Sequence, residues 1–346
     1  MATLAACSGD NTDEQTPQAD GSIRFEAEAP LFTRSLIDTD AKLQLAGFGV
    51  FAYYTEDNLW DDTSSPIPDF MYNQQVTYDA TSWQYSPVKY WPNDDTKKYV
   101  SFFAYAPYSS TGFTVPTEVG TNQYLPLISY TWENTVNPSS QSDLLYASQT
   151  DCYKTMPQGY GTVSGRVPLV FHHALTAIEF KVRRKEASGD QIFLSKLSLN
   201  ADADATAASS SQATLNTGGT FNLGTPGWAS FNTDTPVINY SSSNINTDLI
   251  STGTGVTAAT NETAHDLTSY TPNLLLIMPQ ESTVTIPFTL SYTLGGTTKT
   301  PSGTVTFTKP ADGWAIEMGR KYTIIFVIDG GEVESYLLRA KEAEQW

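Results

Sequence analysis

From Ile23 onward, large apolar residues recur at every second position, and the runs are separated by clusters of Pro, Gly, Ser and Asn. The clearest run is Val284, Ile286, Phe288, Leu290, Tyr292 and Leu294, with Thr, Pro and Ser at the positions between. Such alternation predicts a long strand with one buried face. Gly295-Gly296 then supplies the positive φ that a tight hairpin needs, and Thr304 to Thr308 can return as its partner. Val100, Phe102 and Ala104 predict a second strand, and Ile178, Phe180 and Val182, set against Glu179, Lys181 and Arg183, predict a third. Each reads as half buried and half wet. Tyr322 to Ile328 puts Tyr322, Ile324, Phe326 and Ile328 on one face and Ile325 and Val327 on the other, which suits a strand covered on both sides. A helical signal exists only in Glu332 to Gln345, where Ala, Glu, Lys and Leu are concentrated and Val333, Tyr336, Leu337 and Ala340 share one side. Read as a strand instead, residues 332–339 place Val333, Ser335 and Leu337 together.

These patterns define an all-β chain with few or no long helices. At 346 residues it exceeds the usual size of one domain. The Gly-rich stretch Gly159 to Gly165 lies between two strand-dense halves and marks the expected boundary, giving a leader and tether over 1–22, one domain over 23–162 and another over 163–346. Sixteen Phe, 19 Tyr and 7 Trp exclude a disordered chain. The net charge of -18 would repel a phosphate backbone, so nucleic acid is excluded as a partner. The longest apolar runs, such as Leu274 to Met278, fall far short of the ~20 residues that span a bilayer as a helix. Two cysteines, Cys7 and Cys152, cannot form a disulfide framework or a four-thiolate metal site.

The sequence shows no enzymatic constellation, and neither a cofactor nor a metal is expected. His172 and His173 are adjacent in a strand pattern, so they point to opposite faces, one packed and one exposed. Cys152 has no neighbour that would lower its pKa. Asp202 and Asp204 alternate as in a calcium loop but lack the remaining oxygen ligands, and read as a solvated loop. No phosphate-cradling or dinucleotide-binding glycine motif is present. Tyr53, Tyr54, Trp60, Trp83, Trp91 and Trp132 have two readings, a core or a platform on which sugars stack.

The N-terminal residues bear on location. Leu4-Ala5-Ala6-Cys7 resembles a bacterial lipobox, in which the cysteine thiol receives diacylglycerol, and Ser8 to Ser22 reads as a polar, acidic tether. Acidic residues just after such a cysteine resemble those of surface-exported lipoproteins of Bacteroidetes. The expected location is the outer membrane, lipid-anchored and facing the cell surface.

Four segments, in order along the chain, resemble the fimbrillin family of Bacteroidales, whose members are subunits of type V pili. They are Tyr90-Trp91-Pro92 with Tyr99 to Pro107; Phe171-His172-His173-Ala174-Leu175 continuing to Val182; Leu274 to Gln280; and Trp314 with Gly319-Arg320-Lys321-Tyr322-Thr323. The resemblance implies two tandem Greek-key β-sandwiches of transthyretin-like topology and a lipidated precursor. It also implies assembly with other pilus subunits, of the same or an accessory kind, by strand exchange. Phe32-Thr33-Arg34-Ser35-Leu36 matches the family's processing position, so cleavage is expected between Arg34 and Ser35. The strand this would free carries Ile23, Phe25, Ala27 and Ala29 alternating with Arg24, Glu26 and Glu28. In the family an extended C-terminal segment of another subunit fills the vacated groove. Here that segment would present Val333 and Leu337, though its composition suits a helix as well as a strand. The expected role is a structural or adhesive pilus subunit with a host protein or glycan as ligand; the second reading is a glycan-binding surface lipoprotein using its aromatic residues.

Overall fold

The structure is a computed structural model. It describes residues 21–30, 37–61, 68–92, 98–116, 126–135, 137–154, 166–184, 192–201, 212–241, 243–245, 264–269, 273–329 and 332–339. Cys7, Arg34, Ser35, Asp202, Asp204 and the stretch 159–165 lie outside these.

The regular structure of the described chain is almost entirely strand, with one short α-helix, Asp40–Ala46, and one 3-10 turn, Pro138–Ser140. A six-stranded sheet runs edge to edge through His172–His173, Leu145–Cys152, Tyr99–Ala106, Phe48–Glu56, Met71–Tyr78 and Trp83–Gln84. The first strand, Arg24–Glu28, pairs in parallel with Arg166–Val170 as a separate two-stranded sheet. In the second half, Thr176–Arg184 pairs in parallel with Lys321–Asp329, whose other edge takes the last strand, Glu332–Arg339. A facing sheet centres on Val284–Leu294, flanked by Ile192–Leu199 and Ser302–Phe307.

The predicted hairpin forms as read: Gly295 and Gly296 take φ of 55° and 79°, and the chain returns through Thr297–Lys299 and Ser302–Phe307 along the same partner. Other expectations need correction. Tyr99–Ala106 is covered on both faces, not one. Val100, Phe102 and Ala104 pack towards the first strand, while Phe103 and Tyr105 pack with Phe51 and Tyr53 into a second cluster that continues through the C-terminal half. On Thr176–Arg184 the expected wet position Glu179 is buried, held by the Thr323 hydroxyl at 3.1 Å and the Lys321 and Lys181 ammoniums at 3.5 and 3.6 Å. Residues 332–339 form a strand, so the helical reading fails there. Intrinsic propensity is a weak prior, and here pairing with Lys321–Asp329 lets Val333 and Leu337 pack against the core.

The strands on either side of the expected boundary are shared. Arg166–Val170 and His172–His173 pair with strands of the first half. Leu127–Thr131 pairs with Leu215–Asn222, registering Gly218 with Thr131 and Asn222 with Leu127. The Trp132 indole seals this junction by donating to the Leu276 carbonyl at 2.6 Å, and its backbone N–H donates to the Thr217 carbonyl at 2.8 Å.

Candidate functional site

The first strand fills the core of the first sandwich from outside the main sheet. Alternation sends Ile23, Phe25, Ala27 and Ala29 inward, where all four are buried. The Phe25 ring sits in a cage of three rings, edge-on to Phe48 and Phe102 at 6.1 and 5.6 Å and tilted to Tyr85 at 5.5 Å. Val167, Leu169 and Phe171 complete the walls. At about 1.5–3 kcal/mol for each large side chain, burial of Ile23 and Phe25 contributes about 3–6 kcal/mol to seating this strand.

Its backbone is held differently on its two edges. Towards Arg166–Val170 it makes a regular parallel ladder, which ends with the Phe171 N–H donating to the Glu28 carbonyl at 3.0 Å. The other edge meets residues 85–91: the Ile23 N–H donates to the Lys89 carbonyl at 2.9 Å, and the Trp91 N–H donates to the Gly21 carbonyl at 2.9 Å. The Tyr85 hydroxyl donates to the Ile23 carbonyl at 2.8 Å. Burial pushes the pKa of that hydroxyl up to about 12, so it remains a donor at physiological pH.

The ladder partner carries Pro168 at its centre, opposite Glu26. Successive backbone N–H groups of a strand point to opposite edges. Phe171 directs its N–H at the first strand, so position 168 faces the other way. The proline therefore interrupts the outer edge and leaves the inner ladder whole.

The ends of the segment that contains Arg34 and Ser35 are fixed on both sides. The Ala29 N–H donates to Asp40 Oδ1 at 2.9 Å, tying the end of the first strand to the start of the helix. Ile37 is buried in the same core cluster as Phe25. The helix that follows is capped by Thr39, whose side chain accepts from the Lys42 N–H, and it ends at Gly47 with φ of 62°.

The other candidate residues are placed elsewhere. Val333 and Leu337 sit on the last strand opposite Ile328 and Ile324, partly buried against the core, and the Ser335 hydroxyl donates to the Thr304 carbonyl at 2.9 Å. His173 is buried with Nδ1 3.1 Å from Asp143 Oδ1, while His172 is exposed. Cys152 is fully buried, and burial with the neighbouring Asp151 charge pushes its thiol up to about 12. The aromatic residues do not form a platform. Tyr53, Trp83, Trp91 and Trp132 are buried, and Trp60 packs on Tyr53 and Phe103. Among the described residues no group of three His, Cys, Asp or Glu side chains could hold a metal ion, and no helix is long and apolar enough to cross a membrane.

An all-β sandwich protein whose first strand is an insert in its own core is the class of molecule defined here. The fimbrillin-like family profile matches residues 33–340, and the chain belongs to that family. The fimbrium subunit Fim1C of Phocaeicola vulgatus is 33% identical over 189 residues, covering 51% of this chain and 47% of that protein. The chain thus spans about half the length of this curated relative. A fimbrial protein from Bacteroides vulgatus shares the fold with a TM-score of 0.65 at 21% identity, over 92% of this chain and 99% of that one.

Proposed function

We propose that the chain is a fimbrial, cell-adhesion protein of the cell surface, a reading its family membership and its fimbrial relative support. Within that role it is a non-enzymatic precursor subunit, lipid-anchored to the outer membrane through Cys7 and assembled with other pilus subunits by strand exchange. Cleavage after Arg34 leaves the first strand held only by non-covalent contacts. Its departure opens a groove lined by Phe48, Phe102, Phe171 and Leu169, with the inner N–H and C=O groups of Arg166–Val170 exposed. An incoming strand repairs both losses, which is the driving force of β-augmentation. The single observation that carries the reading is the first strand itself, a separate insert that pairs with one strand and supplies side chains at the centre of the core. The donor segment is the one bearing Val333 and Leu337, which must first peel from Lys321–Asp329. The division into 1–22, 23–162 and 163–346 belongs to the same proposal, with the strands of residues 166–173 lent across it to the first sandwich.

The test is incubation of the full chain with an Arg-specific protease, followed by N-terminal sequencing and electron microscopy. A new N-terminus at Ser35 and fibres are expected. An uncut chain, or a cut chain that stays monomeric after the first strand has left, counts against the scheme. Radiolabelled palmitate incorporation that survives Cys7→Ser would overturn the lipid anchor.

A further inference from the structure

A cleft of about 690 Å3 lies where the chain leaves Tyr99–Ala106, passes the end of Leu127–Thr131 and approaches Leu145–Cys152. Six of its described lining residues are serines or threonines, two are the acids Glu133 and Asp143, and none is a lysine, arginine or histidine. The loop after Tyr99–Ala106 fits closely against the floor: a Cβ at Gly112 would fall 2.3 Å from Ser142 Oγ, so a larger residue there would push the two segments apart. The Tyr130 hydroxyl donates to the Ser142 carbonyl at 2.8 Å and holds the floor from the core side.

Asp143 is the group that calls for a ligand. Its side chain is 1% exposed, its Oδ1 lies 3.1 Å from His173 Nδ1, and its Oδ2 has no hydrogen-bond partner among the described residues. A buried carboxylate oxygen left in that state is costly until a donor or a cation meets it. Glu133 brings the second carboxylate: its Oε1 accepts from the Thr111 hydroxyl at 3.1 Å, which leaves Oε2 for a ligand. Both acids act on one group. Burial raises the pKa of the Tyr130 hydroxyl above its ordinary value, and the charges of Asp143 and then Glu133 raise it further, so the two converge on the same part of the cleft. Gln141 is already committed, since its amide nitrogen donates to the Leu274 carbonyl at 3.4 Å and its oxygen accepts from the Leu276 N–H at 2.6 Å.

We propose that this cleft binds a calcium ion, with Asp143 Oδ2 and Glu133 as its charged ligands and the hydroxyls of Ser109 and Ser140, with water, completing the shell. A neutral ligand would bond these oxygens but leave two carboxylates close together, whereas a cation answers the charge and the open lone pairs at once. Two carboxylates are too few for a transition-metal centre, and His173 Nδ1 is directed at Asp143. Calcium takes neutral oxygens from irregular loops, where magnesium demands a near-ideal octahedron. The site stands independently of strand exchange. Through Gln141 its floor is tied to Leu274 and Leu276 of the second half, so a bound ion stabilises that junction by mass action.

Titration calorimetry of the full chain with calcium chloride tests this, with magnesium chloride as the comparison. Calcium should bind with a Kd of about 0.1–1 mM, the range of extracellular calcium modules, and magnesium at least tenfold more weakly. Asp143→Asn and Glu133→Gln should each weaken calcium binding tenfold or more, and the melting temperature of the parent, but not of the variants, should rise with calcium. Should loss of the His173 contact leave Asp143→Asn unfolded by circular dichroism, Glu133→Gln decides alone. No calcium binding up to about 10 mM would overturn the site. Binding unchanged in Glu133→Gln would overturn it as well, by placing the ion elsewhere, and magnesium binding as tightly as calcium would overturn the assignment of the ion.

Discussion

Truncating Phe25 separates a removable strand from an ordinary part of the core. The ring is 1% exposed and touches three aromatic neighbours. Buried Phe→Ala changes cost about 3–5 kcal/mol, and with its two edge-on ring contacts Phe25→Ala should cost at least the middle of that range, about 4 kcal/mol. Where that loss is felt depends on connectivity. The first strand has a regular ladder with one partner only, so its opening need not wait for the sheet built on Tyr99–Ala106. Hydrogen exchange followed by mass spectrometry reads the two regions separately. At 1.4 kcal/mol per factor of ten, peptides over residues 21–30 should exchange about a thousandfold faster in the variant, while those over 99–106 should stay close to the parent rate. A change below tenfold over 21–30 would refute the burial argument. An equal change in both regions would refute separability, because it would make the strand part of one cooperative unit.

Four further changes test neighbouring steps. Tyr85→Phe removes the hydroxyl that donates to the Ile23 carbonyl and accepts from the Lys89 N–H, and should lower the opening free energy of residues 21–30 by about 1 kcal/mol, with any further change confined to residues 85–91. Pro168→Val restores a backbone donor to the outer edge of its strand and should raise self-association in light scattering; a variant as monomeric as the parent would show that the proline guards nothing. Trp132→Phe leaves the Leu276 carbonyl without its indole donor and should cost about 1–3 kcal/mol in urea unfolding, a loss absent if the junction between the halves is soft. In a Cys7→Ser chain, Cys152 should resist a disulfide reagent at pH 8 until the protein is unfolded. Its thiol pKa is raised above the ordinary 9.0, so the unfolded chain releases that proton first; the stabilisation is intact below about pH 9 and is lost as pH rises towards about 12.

Strands with a plain period of two were legible because the signal is local. Val284 to Leu294 and its Gly295-Gly296 turn need no information beyond a dozen residues, and the alternation of the first strand was equally clear. What escaped the sequence depends on distant partners. Glu179 reads as wet because nothing near it announces Lys321 and Thr323, which neutralise and bond it from another strand. The second face of Tyr99–Ala106 reads as exposed because its cover comes from residues well outside that run. Residues 332–339 carry helix-forming side chains, and only the open edge of Lys321–Asp329 decides for a strand. At the candidate site, the inward residues were visible but the inner and outer edges of Arg166–Val170 were not.

The ladder between Leu127–Thr131 and Leu215–Asn222 has a mechanical consequence. Two sandwiches joined by a bare linker would swing, and a pull on one end would be spent straightening that hinge. Here a sheet is continuous across the junction, and Trp132 is bonded to Thr217 and Leu276 on the far side. Tension applied to the first sandwich is carried into the second by hydrogen bonds working together, so the subunit extends little before it begins to unfold. In a filament of such subunits, compliance would reside in the contacts between them.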